Sequence, residues 1–307
     1  MKGLELSRRY FEEVGLPMIR RDFEPFRGRI AAGLAGEGSE VLGFDDELSM
    51  DHDWGPSFCI WLTDDDFLNF GRELQCAYER LPGGYLGCPA RQVFDGGEGR
   101  VGVLRISDFY RRYTGLDRAP ETAAEWLRIP ESMLAKATGG EVFVDGPGEF
   151  TRIRRALLGF YPEDVRLKKI SQRAAVMAQS GQYNYLRCLK RGENVAAACA
   201  LAEFTGAACS MVYLLNKRYM PFYKWAHHGL QFLPVLSEIY GKMGELHRSL
   251  DGGRRVVLIE EICTMVRCEW RRQGIADGNS DFLIDYSAAI ADKISDSYIR
   301  SLHIMEG

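Results

Sequence analysis

The 307-residue chain has no Cys-x-x-Cys pair, no Cys/His spacing of a zinc site, no internal repeat and no low-complexity tract. Its eight cysteines stand apart in apolar stretches, so they are expected to be reduced core residues of an intracellular protein rather than metal ligands or a disulfide framework. No uninterrupted apolar run is long enough to span a bilayer, and charges fill Met1 to Tyr10 where a signal peptide needs its apolar stretch. The expectation is a cytoplasmic protein with no membrane partner. Long Lys/Arg runs are also missing, and the net charge is -4, which argues against a general polyanion binder while leaving room for a local basic groove. With 46% apolar residues the chain has enough to bury a full core, and its length favours two domains over one.

Against these absences stands one informative stretch. Gly38-Ser39 is followed, twelve positions after the serine, by Asp51-His52-Asp53. On a β-strand, side chains two apart share a face about 6–7 Å apart at the backbone, so Asp51 and Asp53 are expected to converge on one divalent ion. Hard oxygen ligands of this kind suit Mg²⁺, which keeps waters and completes its shell with substrate phosphates. A Gly-Ser turn lets backbone approach a ligand closely and presents N–H groups to phosphate oxygens. His52 falls on the opposite strand face and is expected behind the site. Glu37, Glu40, Asp45 and Asp46 either add negative field near the metals or form a solvated acidic loop.

Along the chain, apolar spacing predicts helices over 4–14 and 18–32, a strand from Trp54 to Leu62, and a helix over about 65–80 capped by Thr63 or Asp64. A turn at Gly96-Gly97-Glu98-Gly99, a strand from Arg100 to Ile106, a helix from Ser107, an amphipathic stretch from Glu121 to Ala137 and a short strand within 140–148 follow. Beyond Glu163, Leu, Ala and Met recur at three- and four-residue spacing. That pattern predicts a helical bundle of five or six helices, broken at Gly181, Arg191 to Asn194, Lys217 to Pro221 and Asp251 to Gly253. The expected architecture is α/β (α+β): a mixed sheet with flanking helices over 1–155, then a helical domain over 156–307.

Gly38-Ser39 followed by Asp51-His52-Asp53 resembles the nucleotidyltransferase superfamily typified by DNA polymerase beta. Gly36-Glu37-Gly38-Ser39-Glu40, Phe44-Asp45-Asp46-Glu47-Leu48-Ser49 and Asp51-His52-Asp53-Trp54-Gly55-Pro56 are similar, more narrowly, to bacterial DUF4037 proteins. That likeness extends to Gly146-Pro147-Gly148-Glu149, Tyr161-Pro162 and Arg218-Tyr219-Met220-Pro221-Phe222-Tyr223-Lys224-Trp225. The resemblance implies that Asp51 and Asp53 bind two Mg²⁺ ions, that Gly38 and Ser39 hold the triphosphate, and that a basic residue of the helical half neutralises it.

Superfamily members usually carry a third carboxylate on the next strand. Here Val101 to Ile106 contains no acid, and Gly102 stands at the corresponding place; Asp108, on the strand face shared with Gly102 and Leu104, or Asp145 is the candidate substitute, and a two-carboxylate site is the remaining reading. In the Asn216 to Trp225 cluster, Arg218 and Lys224 are the candidate triphosphate contacts, with an ordinary interhelical turn as the alternative. Gln182 to Arg187 and His227-His228 are weaker candidates. The implied reaction moves a nucleoside monophosphate, AMP from ATP by default, onto a hydroxyl. A small-molecule acceptor is favoured, with a protein side chain or RNA end as alternatives. The rival expectation is a non-catalytic nucleotide-binding regulatory or interaction module.

Overall fold

The computed structural model describes residues 1–50, 53–92 and 99–307, so Asp51, His52 and most of the expected Gly96 to Gly99 turn lie outside the described residues. The chain divides into two compact units. One comprises Met1–Pro120 and Met133–Gly159; the other comprises Glu121–Ser132 and Phe160–Gly307.

The first unit is built on a mixed four-stranded sheet of β1 (Ala31–Leu34), β2 (Cys59–Leu62), β3 (Gly102–Arg105) and β4 (Glu141–Asp145), in the order β3-β2-β1-β4. β2 runs parallel to β3, while β1 runs antiparallel to both β2 and β4. All four residues of β2 are buried, because helices cover both faces of the sheet. On one face Ile60, Ala32 and Val103 pack with Tyr10, Phe11 and Ile19 of the opening helices and Phe70 and Leu74 of the helical stretch after β2. On the other, Trp61 stacks on Phe150 at 3.8 Å between ring centroids and meets Phe109 edge-on. A strand buried on both sides reads as a continuous apolar run rather than an alternating one.

β1 replaces the end of the helix expected over 18–32. That helix stops at Asp22, a 3₁₀ segment covers Glu24–Arg29, and the chain then becomes extended. Ala-Ala-Gly-Leu has no β-branched residue, so its strand identity comes from pairing on both edges rather than from propensity. Gly33 is needed there: a Cβ would sit 2.2 Å from the Glu141 carbonyl oxygen, at the point where the β1–β4 register shifts. The strand expected from Trp54 begins only at Cys59. Thr63 caps the following helical stretch as expected, its hydroxyl accepting from Asp66 N–H at 3.2 Å. β3 ends at Arg105, and the helix Ile106–Thr114 starts one residue earlier than predicted.

The second unit is helical. Glu163–Met177 continues without a break through a π-helical stretch, Ala178–Tyr185, into Leu186–Lys190. The break expected at Gly181 is therefore absent. Glycine there serves packing, since a Cβ would lie 2.3 Å from the Phe204 ring. Turns do fall near Arg191, Lys217 and Asp251, and the described residues from Glu163 onward form seven helical stretches rather than five or six. One of them, Asn194–Leu215, is long and apolar enough by composition to cross a membrane, at a mean hydropathy of 1.6; 56% of that window is buried inside the unit, with Leu201, Phe204, Met211 and Leu215 in the core.

Phe150→Ala removes the partner of the Trp61 stack from a fully buried position. The expected loss is about 3–5 kcal/mol of stability, read as a lower urea midpoint by circular dichroism.

Candidate active site

The loop that leaves β1 is Gly36-Glu37-Gly38-Ser39, and it opens the short helix Ser39–Leu42. Gly38 has φ 129°, a conformation that side chains resist, and a Cβ there would meet the Glu40 carboxylate at 2.4 Å. The glycine thus has a local reason: it leaves room for Glu40, which is buried and paired with Arg91 at 3.2 Å. Arg91 also donates to Ser57 Oγ at 3.1 Å. Burial pushes the Glu40 carboxyl above its ordinary value against the pull of Arg91. The Ser39 hydroxyl has no hydrogen-bond partner among the described residues, and its side chain is half-buried.

Asp53 lies six positions before β2, with φ 52° and its N–H donating to the Gln92 carbonyl at 2.9 Å. This left-handed backbone corrects the premise that Asp53 sits on a strand, so strand alternation does not set its bearing. What sets it is Arg100. The guanidinium donates to Asp53 Oδ2 at 2.8 Å and pairs with Glu37 at 3.3 Å, and Lys136 donates to the other Glu37 oxygen at 2.8 Å. Asp53 and the Gly-Ser loop are therefore joined through a single side chain. Asp53 Oδ1 is buried and has no hydrogen-bond partner among the described residues.

Asp51, the second expected ligand, lies outside the described residues. Among the described residues no group of three His, Cys, Asp or Glu side chains is placed to hold a metal. The fit to Mg²⁺ therefore rests on one carboxylate with one free oxygen, an arrangement compatible with an ion that draws its remaining ligands from waters and phosphates.

The expected third carboxylate is not found where it was sought. Gly102 has φ 94°, and a Cβ would lie 2.9 Å from Gln75 Oε1, which accepts from Val103 N–H. A side chain there would be strained by the positive φ and would have to displace the Gln75 amide. Asp108 is on a helix rather than on the strand face, is exposed, and pairs with Arg111 at 3.1 Å and Arg105 at 4.0 Å. Asp145 accepts from Gly148 and Thr151 N–H and so caps the helix Glu149–Leu158. Asp45 is likewise structural rather than a solvated loop acid: it is buried and accepts from Gly3 N–H and Trp54 Nε1. Asp46 accepts from Ser49.

Arg218 and Lys224 belong to the second unit, where both side chains are exposed and neither makes an ion pair among the described residues. Lys224 lies over the Trp225 ring at 5.4 Å. Arg100 and Lys136, the cations that organise the site, were missed by sequence reading. Neither stands in a motif; only the fold brings them to Glu37.

The DUF4037 family model, a domain of unknown function, matches residues 126–226. The chain carries a DUF4037 match over about a third of its length. No curated protein matches it. A nucleotidyltransferase-like protein from Exiguobacterium sibiricum is similar in structure at a TM-score of 0.38 and 11% identity, over 95% of this chain and 91% of that one.

Burial pushes the Glu37 carboxyl up, but the Lys136 hydrogen bond and the charges of Lys136, Arg100 and Arg112 outweigh it and hold the group below its ordinary value. A lowered folded value means that the unfolded chain binds the proton more readily, so this contribution is present above the ordinary value of 4.5 and is lost as pH falls through the folded one. Glu37→Gln should therefore show a shallower acid loss of stability than the parent from about pH 5 to about pH 3, measured by urea unfolding across that range.

Proposed function

We propose that the chain is a Mg²⁺-dependent nucleotidyltransferase that moves a nucleoside monophosphate, AMP from ATP by default, onto a hydroxyl acceptor, a small molecule before a protein or RNA end. The observation that carries this reading is the convergence of Asp53, with its unpartnered buried Oδ1, and the Glu37-Gly38-Ser39 loop on the Arg100 guanidinium. Asp51 and Asp53 would hold Mg²⁺, which when bound supplies neutralisation of phosphate charge. The Ser39 hydroxyl, without a hydrogen-bond partner among the described residues, and the loop N–H groups are suited to phosphate oxygens. Arg100 and Lys136 pair with the Asp53 and Glu37 carboxylates. In the reaction the acceptor hydroxyl gives up its proton to solvent as its oxygen bonds to the α-phosphorus, the bond from the α-phosphorus to the bridging oxygen breaks, and pyrophosphate leaves. The protein's part is alignment and charge matching.

A second reading, a non-catalytic nucleotide-binding module, is favoured by one observation. Position 102 is a glycine with no carboxylate, Asp108 is ion-paired on a helix and Asp145 is used as a cap, so none of them is placed to take the acceptor proton.

The two readings separate in an assay with Mg²⁺, each α-labelled nucleoside triphosphate and a panel of hydroxyl acceptors. Label transfer that falls about a hundredfold or more in Asp51→Ala and in Asp53→Ala is the expected result. Tight nucleotide binding with no pyrophosphate release for any acceptor points to the module, and absence of nucleotide binding overturns both.

A further inference from the structure

Two adjacent lysines on the helix Glu163–Met177 are both buried, and they are treated differently by their surroundings. Lys168 donates to the Leu302 and His303 carbonyls at 2.7 and 2.9 Å. Lys169, only 3% exposed, has no hydrogen-bond acceptor among the described residues; its ammonium lies over the Tyr161 ring at 5.2 Å. The Tyr161 hydroxyl is itself buried without a hydrogen-bond partner among the described residues. Around it stand Trp126 and Tyr219, both edge-on to the Tyr161 ring.

One turn further along the helix, on the same face, is Arg173. It donates to Glu131 at 3.0 Å and to Ser210 Oγ at 2.8 Å, and Ser210 in turn donates to Glu131. Glu131 is therefore already engaged by a guanidinium and a hydroxyl. The charges acting on Lys169 are this one carboxylate and the Arg173 cation, so two positive groups share one negative one in a buried place. Burial pulls the Lys169 ammonium down to about 8, which leaves it largely charged at neutral pH. The Tyr161 hydroxyl, buried without an acceptor among the described residues, costs stability unless something supplies one, and the neighbouring ammonium has no protein acceptor there either.

From this we propose that Lys169 and the Tyr161 hydroxyl form a binding site for a phosphate-type oxyanion within the second unit, with Arg173 contributing positive field. The three hydrogens of an ammonium point in divergent directions and, with the phenol, suit a tetrahedral oxyanion with several acceptor oxygens better than a planar carboxylate. The rings of Tyr161, Trp126 and Tyr219 place apolar surface beside it, which strengthens the attraction. The site uses none of the residues of the first unit, so it stands or falls independently of the transferase reading.

The test is calorimetric titration of the whole chain, at constant ionic strength, with inorganic phosphate, glycerol phosphate and acetate. Saturable binding of phosphate or its ester, at least tenfold tighter than acetate, is expected, and the tighter of the two identifies the free ion or the ester as ligand. Lys169→Met should abolish the response, and Tyr161→Phe, which keeps the ring, should weaken it about tenfold. No binding by the parent, equal binding of acetate, or a response retained in Tyr161→Phe would overturn the proposal. So would a response retained in Lys169→Met, which would place the phosphate elsewhere in the chain.

Discussion

The first unit's candidate site depends on one guanidinium. Arg100 reaches Asp53 on one side and Glu37 on the other, and so ties the segment before β2 to the loop after β1. Without a cation between them, two carboxylates held this close would repel each other. Arg100 supplies that cation from the approach to β3, and Lys136, from the helix before β4, supplies a second to Glu37. Every strand region of the sheet thereby contributes to one cluster, in which Asp53 Oδ1 has no hydrogen-bond partner among the described residues.

The sheet makes this arrangement rigid. β1 is central and can lie close to β4 because Gly33 has no side chain to strike the Glu141 carbonyl. Aromatic packing on one face and the Tyr10, Phe11 and Phe70 layer on the other leave β2 no freedom to shift. Glycine at position 38 then turns the chain over the buried Glu40 carboxylate, which positions Ser39 with its hydroxyl free. Local glycine chemistry and long-range packing act on the same loop.

Sequence pattern disclosed what periodicity and capping govern: the Thr63 cap, β4, the helical second half and the turns near Arg191, Lys217 and Asp251 all follow from local signals. β1 was hidden because Ala-Ala-Gly-Leu has little strand propensity and the preceding apolar residues fall at helical spacing. Gly181 misled in the opposite direction, since its role is to admit the Phe204 ring rather than to end a helix. Gly38, Ser39 and Asp53 were legible as a spaced motif, but the backbone at Asp53 was not, because a positive φ is set by its bond to Gln92 and by its place before the sheet. Arg100 and Lys136 carry no motif, and nothing in the pattern marked Glu121–Ser132 as part of the second unit. Such pairings exist only after distant segments have met.

The central claim is that Asp53 and the Gly-Ser loop form one site for a metal-bound nucleotide. It is tested most directly by measuring Mn²⁺–ATP binding through water-proton relaxation, in the parent chain and in Asp53→Asn, which keeps the shape of the side chain and removes its charge. The account predicts saturable binding by the parent and at least about tenfold weaker binding by the variant. Equal affinity in the two proteins would contradict it.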